Sequence, residues 1–136
     1  MEKYNCIMLV DDDPVTNFIN FVTLSKMKIS NDIAITRNGE EALRFISEFK
    51  SKFNTIPELI LLDVLMPVMD GFEFLEKFEA IIDPEFSKSR VVMLSTLFTN
   101  SDINFLNQKG YSLFLNKPLE KEKLMEILEA KSLVSQ

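Results

Sequence analysis

The chain predicts an α/β fold, a doubly wound parallel sheet of five strands with five helices, on three observations. Short apolar or β-branched runs alternate with segments of helical period, five times in succession. The runs at 6–10, 59–62 and 91–94 have no polar face, which is how a strand reads when helices cover both sides of a parallel sheet. Polar residues then follow these runs at once: Asp11-Asp12, Asp63 and Ser95-Thr96. They mark the carboxyl edge, where open α/β sheets bind their ligands.

Taken in order, Cys6-Ile7-Met8-Leu9-Val10 is the first strand, stopped by Asp11-Asp12-Asp13-Pro14. Pro14 suits the first position of a helix with Asp13 as its N-cap. Val15, Phe18, Ile19 and Val22 recur at helical spacing and predict the buried face of a helix to about Lys28. Asp32 to Thr36 is a second strand, alternating enough for the sheet edge. Asn38-Gly39-Glu40-Glu41 reads as a cap with a glutamate at the third helical position. Ala42, Phe45, Ile46 and Phe49 form that helix's apolar face, and Ser51 to Pro57 is a polar connection.

The third strand, Leu59-Ile60-Leu61-Leu62, ends in Asp63, and Pro67 blocks its continuation. Asp70 caps a helix whose inner face is Phe74, Leu75, Phe78 and Ile82. Residues 83–90 form a loop, with a break supported by Pro84. Val91 to Leu94 is the fourth strand. The helix over 100–109 is weak in propensity, with Ser101 as its expected cap and Gly110 as its stop. Ser112 to Leu115 is the fifth strand, followed by Asn116-Lys117-Pro118. The last helix places Leu124, Ile127 and Leu128 on one face.

Residues 1–136 are expected to form one domain, its core spanning roughly 4–131. A net charge of −6 argues against a general DNA or RNA binder. The lone cysteine, Cys6, allows no internal disulfide and suits a buried thiol. No apolar run is long enough to cross a bilayer and no leader pattern opens the chain, so a cytoplasmic protein is expected, away from membranes. The absence of histidine excludes imidazole catalysis and His-ligated metal.

The chemistry gathers at the strand ends. With the first strand inside the sheet, Asp11, Asp12, Asp63, Ser95, Thr96 and Lys117 converge in one crevice. Carboxylates without imidazole or thiolate make a hard oxygen site, suited to Mg²⁺ rather than zinc. Without metal, their mutual repulsion should raise at least one carboxyl pKa, partly offset by Lys117. A lysine and a hydroxyl across the crevice suit phosphoryl charge, so the arrangement fits an aspartate that attacks phosphorus to give an acyl phosphate. Against this stands a plainer account, in which Asp11 and Asp12 are a solvated loop and Ser95-Thr96 satisfy local backbone.

Asp11-Asp12, Asp63 with Met66-Pro67 and Asp70-Gly71, Ser95-Thr96 and Lys117-Pro118 together resemble the signature of the two-component response-regulator receiver domain, over essentially the whole chain. The resemblance implies a flavodoxin-like sheet of strand order 2-1-3-4-5. It implies Asp63 as phosphoacceptor, charged by a histidine kinase or a phosphotransfer protein. Asp12 and Asp63 would ligate Mg²⁺ directly, Asp11 would act through water, and the backbone carbonyl of Leu65 would complete the protein ligands. Ser95, after moving, and the amide of Thr96 would hold the phosphoryl group, with Lys117 on another oxygen. Phe114 stands at the family's switch-aromatic position, where packing in place competes with an inward swing. A cis bond before Pro118 would help to aim Lys117. Output would leave through the face of the fourth helix, fifth strand and fifth helix, towards an unknown protein target, from a monomer or a phosphorylation-dependent dimer.

Two positions depart from fast-cycling relatives: Leu65 and Leu97 are apolar where polar side chains often position hydrolytic water. A long-lived phosphorylated state is therefore expected. The domain is expected to catalyse only its own phosphorylation and slow dephosphorylation. No DNA-binding or enzymatic module follows residue 136, so the expected roles are a stand-alone receiver of the chemotaxis type, a phosphorelay intermediate, or a domain taken from a longer protein. An aspartyl-phosphate phosphohydrolase is the enzymatic alternative, opposed by Leu65 where such enzymes place a second acid. A flavin module is opposed by acids where a phosphate-cradling loop should lie. A degenerate receiver is opposed by the filled motif positions.

Overall fold

The computed structural model describes residues 4–66, 69–82 and 90–134. Five strands alternate with five helices: β1 (Ile7–Val10), α1 (Pro14–Met27), β2 (Ile33–Thr36), α2 (Gly39–Phe53), β3 (Leu59–Asp63), α3 (Gly71–Ile81), β4 (Arg90–Ser95), α4 (Asn100–Gln108), β5 (Leu113–Asn116) and α5 (Lys121–Val134). All strand pairs are parallel and the sheet order is β2-β1-β3-β4-β5, as expected. The reversal of winding between β1 and β3 opens the crevice of a doubly wound sheet. The roles assigned to Pro67 and Pro84 fall outside the described residues.

Alternation along the strands divides the core. Met8, Val10, Ile60, Leu62 and Met93 face Ala42, Ile46, Phe74 and Phe78 beneath α2 and α3. Ile7, Leu9, Leu61, Val92 and Leu94 face Leu24, Leu124 and Leu128 beneath α1 and α5. Each such side chain contributes about 1.5–3 kcal/mol on burial, so the sheet is the rigid part that the loops hang from.

The face of α1 differs from expectation. Val15, Phe18 and Ile19 are 63%, 66% and 50% exposed, Val22 is half-buried, and the sheet side carries Asn17, Asn20 and Leu24. The helix is clamped at its start. Asp13 accepts from the Val15 N–H at 3.1 Å and from the Thr16 hydroxyl at 2.7 Å, while the Asn17 amide donates to the Asp11 carbonyl at 2.8 Å. These bonds set its rotation, against the apolar spacing.

Two boundaries also move. Ser51 to Phe53 continue α2, which ends only at Asn54, left-handed with φ 57°. The cap of α4 is Thr99 rather than Ser101: its hydroxyl accepts from the Asp102 N–H at 3.0 Å, and the Asp102 carboxylate accepts from the Thr99 N–H at 3.2 Å. This reciprocal box compensates for a helix of poor propensity.

Candidate phosphoacceptor site

Three strand ends build the site. Asp11 follows β1 and is buried, Asp63 ends β3 and is buried, and Asp12 lies exposed beside them; carboxylate oxygens of all three come within 4.8 Å of one another. Lys117, just past β5, reaches across to Asp11 Oδ2 at 3.0 Å and Asp63 Oδ1 at 3.1 Å. The Lys117–Pro118 peptide bond is cis. The Asp13 N–H donates to Asp11 Oδ1 at 2.9 Å and the Leu65 N–H to Asp63 Oδ1 at 3.3 Å, so backbone amides hold both carboxylates. A solvated loop does not describe Asp11.

Burial is the leading cause that lifts the Asp63 pKa, and the negative charge of Asp11 adds to it; the Lys117 hydrogen bond and charge oppose both. Repulsion between carboxylates, expected to lead, is thus secondary to loss of water. Burial alone would depress Lys117, but its hydrogen bonds to Asp11 and Asp63 outweigh that and hold its pKa above the ordinary lysine value. Asp13 is lowered by the Thr16 hydroxyl and the Val15 amide, as its cap duty requires.

Tight chain packing fixes the β3–α3 passage. The Gly71 N–H donates to the Val64 carbonyl at 2.8 Å. A Cβ on Gly71 would lie 2.9 Å from Val64 Cα and 3.1 Å from the Asp63 carbonyl oxygen, closer than side chains tolerate. Ser95, at the end of β4, is buried and its hydroxyl is engaged locally: it donates to the Leu97 carbonyl at 3.0 Å and accepts from the Leu97 N–H at 3.2 Å. Thr96 is exposed. Phe114 is half-buried and meets Phe98 edge-on, with ring centroids 5.5 Å apart. Leu65 and Leu97, 69% and 75% exposed, follow Asp63 and Ser95 by two residues each.

Asn17 is the residue that sequence reading missed. Its amide anchors the Asp11 carbonyl from a buried position on α1. The signal was available in Asn17, Asn20 and Leu24, three positions that share one helical face.

The family model described as the response regulator receiver domain matches residues 7–129. The chain belongs to that family. Receiver domains are the phosphoacceptor signalling domains of two-component systems, and they typically bind Mg²⁺ at an acidic pocket. The chain is 30% identical to the chemotaxis protein CheY of Listeria monocytogenes over 125 residues, covering 90% of this chain and 94% of that protein. It is 28% identical over 123 residues to the probable C4-dicarboxylate response regulator DctR of Bacillus subtilis, covering 90% of this chain but 50% of that protein. The receiver thus spans about half the length of that curated relative. A solved two-component response regulator from Cytophaga hutchinsonii superposes with a TM-score of 0.84 at 24% identity, over 95% of this chain and 97% of that one, which supports the fold. Among the described residues, no helix is long and apolar enough to cross a membrane.

Proposed function

We propose that this receiver accepts a phosphoryl group on Asp63 from a histidine kinase or a phosphotransfer protein and relays that state to a protein partner, through one single-domain unit over residues 1–136. The observation that carries the reading is the convergence of Asp11, Asp12, Asp63 and Lys117 from three strand ends. Mg²⁺ fits this all-oxygen donor set: Asp12 and Asp63 would hold it directly, with Asp11 acting through water and the Leu65 carbonyl completing the protein ligands. When bound, it supplies positive charge to the phosphoryl oxygens.

An Asp63 carboxylate oxygen is the nucleophile: it bonds to phosphorus as the donor's phosphorus–nitrogen bond breaks, and the imidazole leaves with its electron pair. Lys117 carries a fixed positive charge for one phosphoryl oxygen. Ser95 supplies a hydroxyl to another once it leaves the Leu97 turn, and the Thr96 amide supplies a third donor. The donor docks beside Asp12 on the exposed apolar stripe of Val15 and Ile19.

The switch follows from what Ser95 gives up. Breaking its two bonds to Leu97 loosens the turn that carries Phe98, and Phe98 packs edge-on against Phe114. Phe114 then follows inward, which changes the surface of α4, β5 and α5.

Incubation with a small phosphodonor and Mg²⁺, read by intact mass, tests this. One added phosphate, absent in Asp63→Asn, is the expected result. No added phosphate in the wild type overturns the reading, as does steady release of phosphate from an external ester.

A further inference from the structure

Asp12 is a proposed direct ligand of the ion, yet its side chain is not held. It is exposed, and among the described residues its carboxylate makes no hydrogen bond or ion pair. Its direction in the crevice therefore depends on the two peptide groups beside it. The Asp12–Asp13 peptide is held at its N–H, which donates to Asp11 Oδ1 at 2.9 Å. The Asp11–Asp12 peptide is held at its carbonyl, which accepts from the Asn17 side-chain amide at 2.8 Å. Asp11 itself is tied down: its N–H donates to the Thr36 carbonyl at 3.1 Å, and its Oδ2 accepts from Lys117 at 3.0 Å. Asn17 grips the segment a second time, since its own N–H donates to the Asp13 carbonyl at 3.0 Å. Asp12 lies between the two points it holds.

The choice of residue at 17 works against stability. Asn17 is 2% exposed, and its Oδ1 is buried with no hydrogen-bond partner among the described residues. A buried polar atom left in that condition is costly, and a leucine would not incur the cost, as Leu24 shows on the same buried face of α1. Turning the amide over gives no relief. The flip would bring Oδ1 against the Asp11 carbonyl oxygen, two acceptors with no proton between them. Local rules broken in this way concentrate at functional sites.

We propose that Asn17 is a positioning residue for the divalent ion: through the Asp11 carbonyl it fixes the peptide that aims the Asp12 carboxylate beside Asp63. This role rests on the reading of Asp12 and Asp63 as Mg²⁺ ligands. Groups that orient metal ligands without touching the metal change affinity by about 10–100-fold when they are removed.

Mg²⁺ titration of the unphosphorylated chain, followed by backbone amide chemical shifts, tests this. Asn17→Leu should weaken Mg²⁺ binding by about tenfold or more while keeping the wild-type far-UV spectrum. Leu24→Ala, which loosens the same helix without touching the Asp11 carbonyl, should bind Mg²⁺ as the wild type does. The wild type supplies a check that needs no variant: the Asn17 side-chain amide protons should shift on adding Mg²⁺, with the midpoint of the Asp12 backbone amide. Equal affinity in the wild type and Asn17→Leu, equal losses in Asn17→Leu and Leu24→Ala, or Asn17 protons indifferent to Mg²⁺ overturn the proposal and leave the phosphoacceptor site standing. A wild type that does not respond to Mg²⁺ overturns the metal site and the role of Asn17 with it.

Discussion

Replacing Lys117 by methionine keeps the stem of the side chain and removes a cation that lies 3.0 and 3.1 Å from two buried carboxylates, Asp11 and Asp63. At an effective dielectric of about 20, each contact is worth about 5 kcal/mol of Coulomb energy, most of it offset by desolvation of the three groups. Leaving buried charge without its partner nets a loss of about 3 kcal/mol. For a domain of this size that lowers Tm by about 10 °C. The sign with pH is fixed by the site. Lys117 is held above its ordinary pKa by the carboxylates, so its contribution is present below the ordinary lysine range and is lost as pH rises through the raised value. On the acid side it shrinks as Asp63, whose pKa burial lifts, takes up a proton, while the Asp11 contact is kept. Thermal melts in EDTA should therefore show the full deficit at neutral pH and a smaller one in mild acid. Added Mg²⁺ should recover part of it, since the ion supplies the missing charge. An unchanged melt in EDTA at neutral pH, or a deficit no smaller in mild acid, refutes the reasoning.

Asp63→Asn should raise the melting temperature of the metal-free protein at neutral pH. A carboxylate with a raised folded pKa favours the fold at low pH and costs stability once ionised, and the amide removes that cost; an equal or lower Tm in EDTA contradicts this. Gly71→Ala forces a Cβ to within 2.9 Å of Val64 Cα, so chemical denaturation should show a loss of about 2 kcal/mol, with slower phosphorylation because Asp63 shifts too. The wild-type phosphoprotein should decay slowly by intact mass. Leu65→Asn, placing a polar group beside the acyl phosphate, should speed that decay by about tenfold or more, and equal decay rates would remove Leu65 from any role in excluding or positioning water.

Strands were legible because burial on both faces leaves an unmistakable mark: Leu59 to Leu62 is apolar at every position, and every position is buried. Helix α1 misled for the opposite reason. Its apolar spacing is real, but Val15, Phe18 and Ile19 face outward because the cap at Asp13 and the Asn17–Asp11 bond fix the rotation. Periodicity reports a stripe and not its direction, and a stripe kept for a partner looks the same as one kept for the core. The cap of α4 was misplaced by two residues because Ser101 and Thr99 both satisfy the local pattern. Only the reciprocal bond with Asp102 separates them.

The candidate site was legible as residue types at strand ends, since topology alone carries Asp11, Asp63 and Lys117 together once the sheet order is given. Its resting state was not. Nothing in Ser95-Thr96-Leu97 specifies that the serine hydroxyl spends both its bonds on Leu97. Nor does composition distinguish loss of water from carboxylate repulsion as the cause that lifts Asp63. The difference matters physically. Repulsion would be relieved by moving the acids apart, whereas a desolvated carboxylate needs added positive charge or a proton. A site strained in the second way keeps its geometry and waits for a cation, which is the condition that the proposed role of Asp63 as a buried phosphoacceptor requires.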